Sequence, residues 1–223
     1  MKLVKLILLL GLGAVLAGCA AVDTPSRNSA FEPAIGGNAA FGAPPPLFWE
    51  TMPSFQVEEI NVLVPRSLIV SEQNVYYPRG DIVWRGDPHG DRHAQVEAIF
   101  DEALARGTRD MQGEVPVILD VTVERFHSLT EKTRYTVGGV HSIRFTLAVR
   151  DAETGLLLDE PRSVEADLKG YGGQRAINAE QQGQTQKVRI TDHLTKVIQD
   201  ELRQPEGFEN PKLGLVQLLN NTF

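Results

Sequence analysis

Two places in this chain hold residues that could do chemistry: the run Asp87-Pro88-His89-Gly90-Asp91-Arg92-His93 and a lone thiol at Cys19. In the run, acids and imidazoles alternate, and Glu97 follows His93 by about one helical turn. Imidazole with carboxylate suits zinc or another divalent ion, so metal-dependent hydrolysis through His89 and His93 is one reading. The plainer reading makes Asp91 the N-cap of a helix, with acidic side chains favouring its positive end. We expect the cap, and therefore no catalytic residue, no metal ligand and no cofactor. His127, His141 and His193 stand singly and suit exposed or hydrogen-bonded positions better than a ligand set. The segment Glu131-Lys132-Thr133-Arg134-Tyr135 could be a recognition tip or a solvated loop, and Tyr76-Tyr77 and Trp84, with Arg79 and Arg85, a partner patch or packed strand residues. No nucleophile elbow, zincin helix motif, phosphate-cradling loop or dinucleotide fingerprint stands in the chain.

The thiol has a more specific context. Lys2 and Lys5 precede an uncharged stretch from Leu6 to Leu16, and small residues stand just before Cys19. These are the three parts of a secretory signal peptide, residues 1–18, too short to span a bilayer, which takes roughly 20 apolar residues. The run Leu16-Ala17-Gly18-Cys19 resembles the lipobox of bacterial lipoproteins. That resemblance implies cleavage before Cys19, a diacylglycerol thioether on its sulfur and an acyl chain, palmitate for instance, on its amine. Ala20 and Ala21 lack the aspartate that retains such proteins in the inner membrane, so the resemblance places this one on the periplasmic side of the cell envelope, anchored to the outer membrane.

Taking the eighteen signal residues from 223 leaves 205, and losing Lys2 and Lys5 moves the formal charge from −7 to −9. An acidic chain without a basic stripe excludes nucleic acid as a partner. The lipid chains supply a membrane instead, since each buried methylene contributes about 0.8 kcal/mol and two or three chains hold stably. An acylated sole cysteine leaves no disulfide and no thiolate ligand, so the core alone must hold the fold.

Residues 19–54 are rich in Ala, Gly, Pro, Ser and Asn, include Pro44-Pro45-Pro46, and show no periodicity. They read as a tether, spanning roughly 30 to 35 Å as a coil and about 110 Å when stretched. Phe31, Phe41 and Leu47-Phe48-Trp49 within it could dock on the domain or on a partner.

Residues 55–223 form one α+β domain with a C-terminal tail. Phe55 and Val57, then Ile60, Val62 and Val64, alternate with a change of phase at Glu58-Glu59 that predicts a bulged strand. Leu68 with Val70 and Ile82 to Trp84 suit short strands. Val96, Ile99, Phe100, Ala103 and Leu104 mark a helix that Gly107 should stop in a left-handed conformation. Val117, Leu119, Val121 and Val123, with Arg125, face the core, and Ile118, Asp120, Thr122, Glu124 and Phe126 face away. Ile143, Phe145, Leu147 and Val149 mark the next strand, the turn Asp151 to Gly155 leads to another running from Leu156 toward Leu168, and Gly170 to Gly173 breaks the pattern. Ile190, Leu194, Val197, Ile198 and Leu202 build a second helix ended by Pro205, and Leu213 to Leu219 a short closing one. The order predicts a mainly antiparallel or mixed sheet of about four strands with two helices packed on one face.

The helix ending at Gly107, the run Val117-Ile118-Leu119-Asp120-Val121-Thr122-Val123-Glu124 and the hairpin Arg150-Asp151-Ala152-Glu153-Thr154-Gly155 resemble bacterial envelope lipoproteins of unassigned function. Similar layouts occur in the auxiliary lipoproteins of ABC transport systems, the lipopolysaccharide-assembly lipoprotein and the periplasmic domain of the curli-secretion lipoprotein. The resemblance implies a non-enzymatic binding or accessory component of a transport or assembly system, with an envelope protein as partner. The alternatives are the metal-dependent hydrolase on His89 and His93 and a lipid or glycolipid carrier holding its ligand between sheet and helices.

Overall fold

The computed structural model describes residues 54–220, with side chains through Gln217. The expected signal peptide, Cys19 and nearly all of the expected tether therefore lie outside the described residues. In chain order the elements are β1 (Phe55–Leu63), β2 (Ile82–Val83), α1 (Arg92–Thr108), β3 (Val115–His127), α2 (Glu131–Arg134), β4 (Gly139–Asp151), β5 (Arg162–Glu165), β6 (Leu168–Gly170), α3 (Gln174–Gln181), α4 (Gln186–Arg203) and α5 (Leu215–Asn220). The architecture is α+β, as the element order implied.

The sheet runs β1-β3-β4-β5, with β2 added to β3 and β6 to β4. β3 and β4 are its spine, antiparallel from Val117↔Asp151 to His127↔Ser142. β1 is parallel to β3 because α1 carries the chain back between them. β1 covers one edge of β3 as far as Thr122, and after the excursion of residues 64–81 β2 takes up that edge again at Phe126 and His127. On the far edge of β4, β5 pairs with Arg144–Leu147 and β6 with Gly139–His141.

Alternation fills the core as expected over most of β3 and β4. Val117, Leu119, Val121 and Val123, with Ile143, Phe145 and Leu147, are almost wholly buried. The bulge at Glu58-Glu59 is present, where pairing with β3 shifts between Val57 and Glu59. A second bulge overturns the expectation for the end of β3: pairing with β4 shifts between Val123 and Arg125, which reverses the phase and turns Phe126, expected on the outer face, fully inward. There Phe126 meets Trp84 edge-on at 5.6 Å and Phe100 at 6.2 Å, and Phe100 meets Phe145 edge-on at 5.5 Å. This aromatic row ties β2, β3, α1 and β4 together.

Both long helices bury the predicted faces in that core. Gly107 is the exception. It sits inside α1, with no left-handed backbone, and the helix runs on to Thr108. Its role is contact with α4: a β-carbon there would stand 2.4 Å from Ile198 Cγ2 and 2.8 Å from the Thr195 carbonyl oxygen. α4 ends at Arg203 with Gln204 extended, the conformation favoured before Pro205. Gly155 takes its expected positive φ, +71°, at the hairpin. Beyond it, however, the strand expected from Leu156 to Leu168 is broken into a bridge at Leu157 and the separate β5 and β6. The single turn α2 and the helix α3 were not foreseen, whereas the short closing helix is present as α5.

Candidate functional site

Where β3 ends and β4 begins, the excursion 64–81, α2 and α5 surround a half-open cleft of about 370 Å³. Its apolar wall is Tyr76, Tyr77, Leu129, Val137, Val140 and Val216. Tyr77 is 61% exposed and Val137 75% exposed, so the mouth is apolar as well. Besides the two tyrosine phenols, four side chains in the wall carry polar atoms, and each donates to a backbone carbonyl, three of them in the excursion and one in β2. His127 Nε2 donates to the Pro78 carbonyl at 2.9 Å, which places its proton on that nitrogen because a carbonyl only accepts. Ser128 Oγ donates to Val83 O at 2.7 Å, Thr130 Oγ1 to Val75 O at 2.9 Å, and Thr133 Oγ1 to Tyr76 O at 3.3 Å. With those groups satisfied, the space is faced mainly by hydrocarbon and aromatic ring, the phenols of Tyr76 and Tyr77 apart.

Other contacts set the cleft's frame. Glu72 is gripped by Arg92, itself 5% exposed, at 2.7 Å and by Arg85 at 3.3 Å, and Arg85 also pairs with Glu131 of α2. The Arg92 guanidinium holds the Glu72 carboxyl below its ordinary value. Lys132 stands 4.7 Å over the Tyr76 ring. At the other wall, Gln217 donates to Asp167 at 2.8 Å and brings α5 across the start of β4.

The metal candidates are engaged separately. Asp91 caps α1, accepting from His93 N at 3.0 Å and Ala94 N at 3.2 Å, and takes Arg66 at 2.7 Å. Asp87 accepts from Trp84 Nε1 at 2.8 Å and Lys187 Nζ at 3.0 Å. His93 Nε2 lies 3.2 Å from the Leu68 carbonyl, while His89 is exposed. Among the described residues no three His, Cys, Asp or Glu side chains come together as a metal site.

The aromatic candidates divide: Trp84 is fully buried in the core, and Tyr76 and Tyr77 stand at the cleft. The segment Glu131 to Tyr135 is a turn of helix closing one side of it. His127, His141 and His193 are largely buried, and burial lowers the pKa of all three, that of His141 to about 3. Thr130 and Thr133 do not stand out in the sequence as the fasteners of the excursion. The signal available was the spacing Thr-x-x-Thr around a one-turn helix, which only the excursion's carbonyls make meaningful. Nor does the sequence mark a cluster next to the cleft, where Tyr171 carries the guanidinium of Arg175 at 4.0 Å and that of Arg189 at 3.6 Å from its ring centre.

Residues 55–218 match a family model described as a family of unknown function, DUF6778. The chain belongs to DUF6778. No curated protein matches it. Among solved structures, this DUF6778 chain is similar to a protein of Caulobacter crescentus CB15 described as a candidate lipoprotein, with 14% identity, a TM-score of 0.29, and coverage of 70% of this chain and 92% of that one. A DUF330 protein from Xanthomonas campestris shares 12% identity at a TM-score of 0.37, covering 72% and 87%. PelC from Paraburkholderia phytofirmans, a dodecamer, shares 16% at 0.33, covering 69% and 95%. Among the described residues of this DUF6778 member, no helix is long and apolar enough to cross a membrane.

Proposed function

We propose that this DUF6778 member is a lipid-anchored protein of the bacterial envelope, attached through Cys19 to the outer membrane. It works without catalysis, as an accessory component of a transport or assembly system, by holding a lipidic ligand in the cleft. The observation that carries this reading is the cleft itself: about 370 Å³ of mainly apolar-walled space in which His127, Ser128, Thr130 and Thr133 are hydrogen-bonded to backbone carbonyls of the excursion and β2. A carboxylate or imidazole aimed into the space would have favoured catalysis; the four fastened groups favour binding. The tether joins the domain at Ser54, beside Val115 at the start of β3. The cleft lies at the other end of β3, roughly 40 Å away for thirteen residues of strand. A tether of about 110 Å at full stretch lets that end reach the bilayer whose lipids are the nearest source of ligand.

Two measurements test the reading. Cells expressing the protein should incorporate labelled palmitate into it, and Cys19→Ser should abolish both the label and signal-peptide processing; a wild-type protein that takes no label and fractionates as fully soluble removes the anchor. Purified without chelator or histidine tag, it should bind the neutral fluorophore N-phenyl-1-naphthylamine and contain no stoichiometric zinc. Gly139→Leu should abolish that binding, because a β-carbon at Gly139 points at Leu129, Thr133 and Val216 in the cleft wall. Undiminished binding in Gly139→Leu, and in the exposed double variant Tyr77→Ser with Val137→Ser, would show the cleft to be unused.

A further inference from the structure

Gly170 to Gly173 borders the cleft. Gly139 pairs with Gly170, and a β-carbon at Gly138 would stand 2.7 Å from Gly172 N. Leu129 belongs both to the cleft wall and to the crevice that contains Tyr171 and Arg189. Tyr171 is therefore next to the cleft, and around its ring stand two cations. Arg134, Arg144, Arg150 and Arg162 each hold a carboxylate. Arg175 and Arg189 hold none among the described residues: Arg189 donates one bond, to the Lys169 carbonyl at 2.7 Å, and both otherwise rest on the Tyr171 ring. In a chain of formal charge −7, two guanidiniums against one ring, with the crevice's own carboxylate, Glu180, taken by Arg134, are a local excess of positive charge and of unused donors. Arg175 first, then Arg189, hold the Tyr171 phenol below its ordinary value, as cations close to it must.

We propose that Arg175 and Arg189, arranged on Tyr171 beside the cleft, seat a phosphate-type anion, and that the ligand is an amphiphile with its alkyl chain in the cleft and its anionic head on these arginines. The inference rests on the cleft being a lipid site and names the headgroup chemistry. Guanidinium suits it because each planar fork offers paired donors to a tetrahedral oxyanion, and two forks can engage one anion from different sides. The aromatic ring they share keeps both oriented before the anion arrives, which lowers the ordering cost of binding.

The test uses the full-length protein kept in a fluorinated surfactant, whose chains mix poorly with hydrocarbon. N-phenyl-1-naphthylamine reports occupancy of the cleft, and dodecyl phosphate, dodecyl maltoside and inorganic phosphate compete. Dodecyl phosphate should displace the fluorophore at least tenfold more effectively than dodecyl maltoside, which has the same chain and a neutral head. Arg175→Gln with Arg189→Gln should erase that difference and leave binding of the fluorophore intact; the single change Arg175→Gln, at an exposed position, should reduce it severalfold without touching the fold. Equal potency of the two dodecyl probes, with the fluorophore bound, overturns the headgroup seat and leaves the cleft reading standing. Failure of the fluorophore to bind overturns both. If inorganic phosphate binds as tightly as dodecyl phosphate, measured by phosphorus line broadening, the arginines serve a free anion and the amphiphile is excluded.

Discussion

Gly107 of α1 lies so close to Ile198 of α4 that no side chain fits between them: an added β-carbon would sit 2.4 Å from Ile198 Cγ2. Helix propensity alone favours Ala over Gly by about 1 kcal/mol in a helix interior. Overpacking opposes it, and the second neighbour is the Thr195 backbone oxygen at 2.8 Å, which cannot rotate away. Gly107→Ala should therefore destabilise the protein by a net ~1 to 3 kcal/mol. Urea melts decide the matter, and a midpoint at or above wild type would mean that the helices are not in contact here.

Thr130 joins α2 to the excursion over the cleft. It is 1% exposed, accepts from Thr133 N at 3.2 Å as the N-cap of α2, and donates to Val75 O. Thr130→Val keeps the shape and removes both bonds, at a cost of about 1 to 3 kcal/mol. Amide hydrogen exchange in residues 72–78 should accelerate in the variant. If exchange there stays at wild-type rates, the excursion is held by other contacts.

His141 makes stability depend on pH. Burial first, and the nearby positive charge of Arg189 next, lower its pKa from 6.5 to about 3, while burial lowers His127 and His193 in the same direction. Between the unfolded and folded values the unfolded chain binds the extra proton, so stability is full above about pH 6.5 and falls as pH falls toward 3. The carboxylates with lowered values, such as Glu72 and Asp120, add their loss only below their unfolded range near 4. Denaturant melts between pH 7.5 and 4.5 should show stability declining with acid, and His141→Leu should flatten the decline. A wild-type curve that is level over this range would contradict the buried neutral imidazole.

Much of the fold is legible in the chain because period and burial coincide. Val117 to Val123 alternate at a period of two, Ile190 to Leu202 recur at 3.6, and both patterns survive folding because each face meets the same core along its length. Reading fails where one residue changes the phase. Nothing in Glu124-Arg125-Phe126 announces the bulge that turns Phe126 inward; the pull comes from Trp84 and Phe100, which are remote in sequence and adjacent in space. Gly107 was misread for the same reason, since a glycine near a helix end suits a stop signal until a second helix is seen lying against it.

By itself the sequence determined the helix and strand periods, the cap at Asp91, the turn at Gly155 and the class of the fold, because backbone sterics and apolar spacing act over a few residues. Tertiary structure decided which polar side chains remain available to a ligand. His127, Ser128, Thr130 and Thr133 find their acceptors 45 to 57 residues away, and only that long-range pairing makes the cleft apolar. Likewise Arg175 and Arg189 are ordinary arginines in the sequence, and the packing of α3 and α4 on Tyr171 is what sets two cations side by side while Glu180 pairs with Arg134 instead.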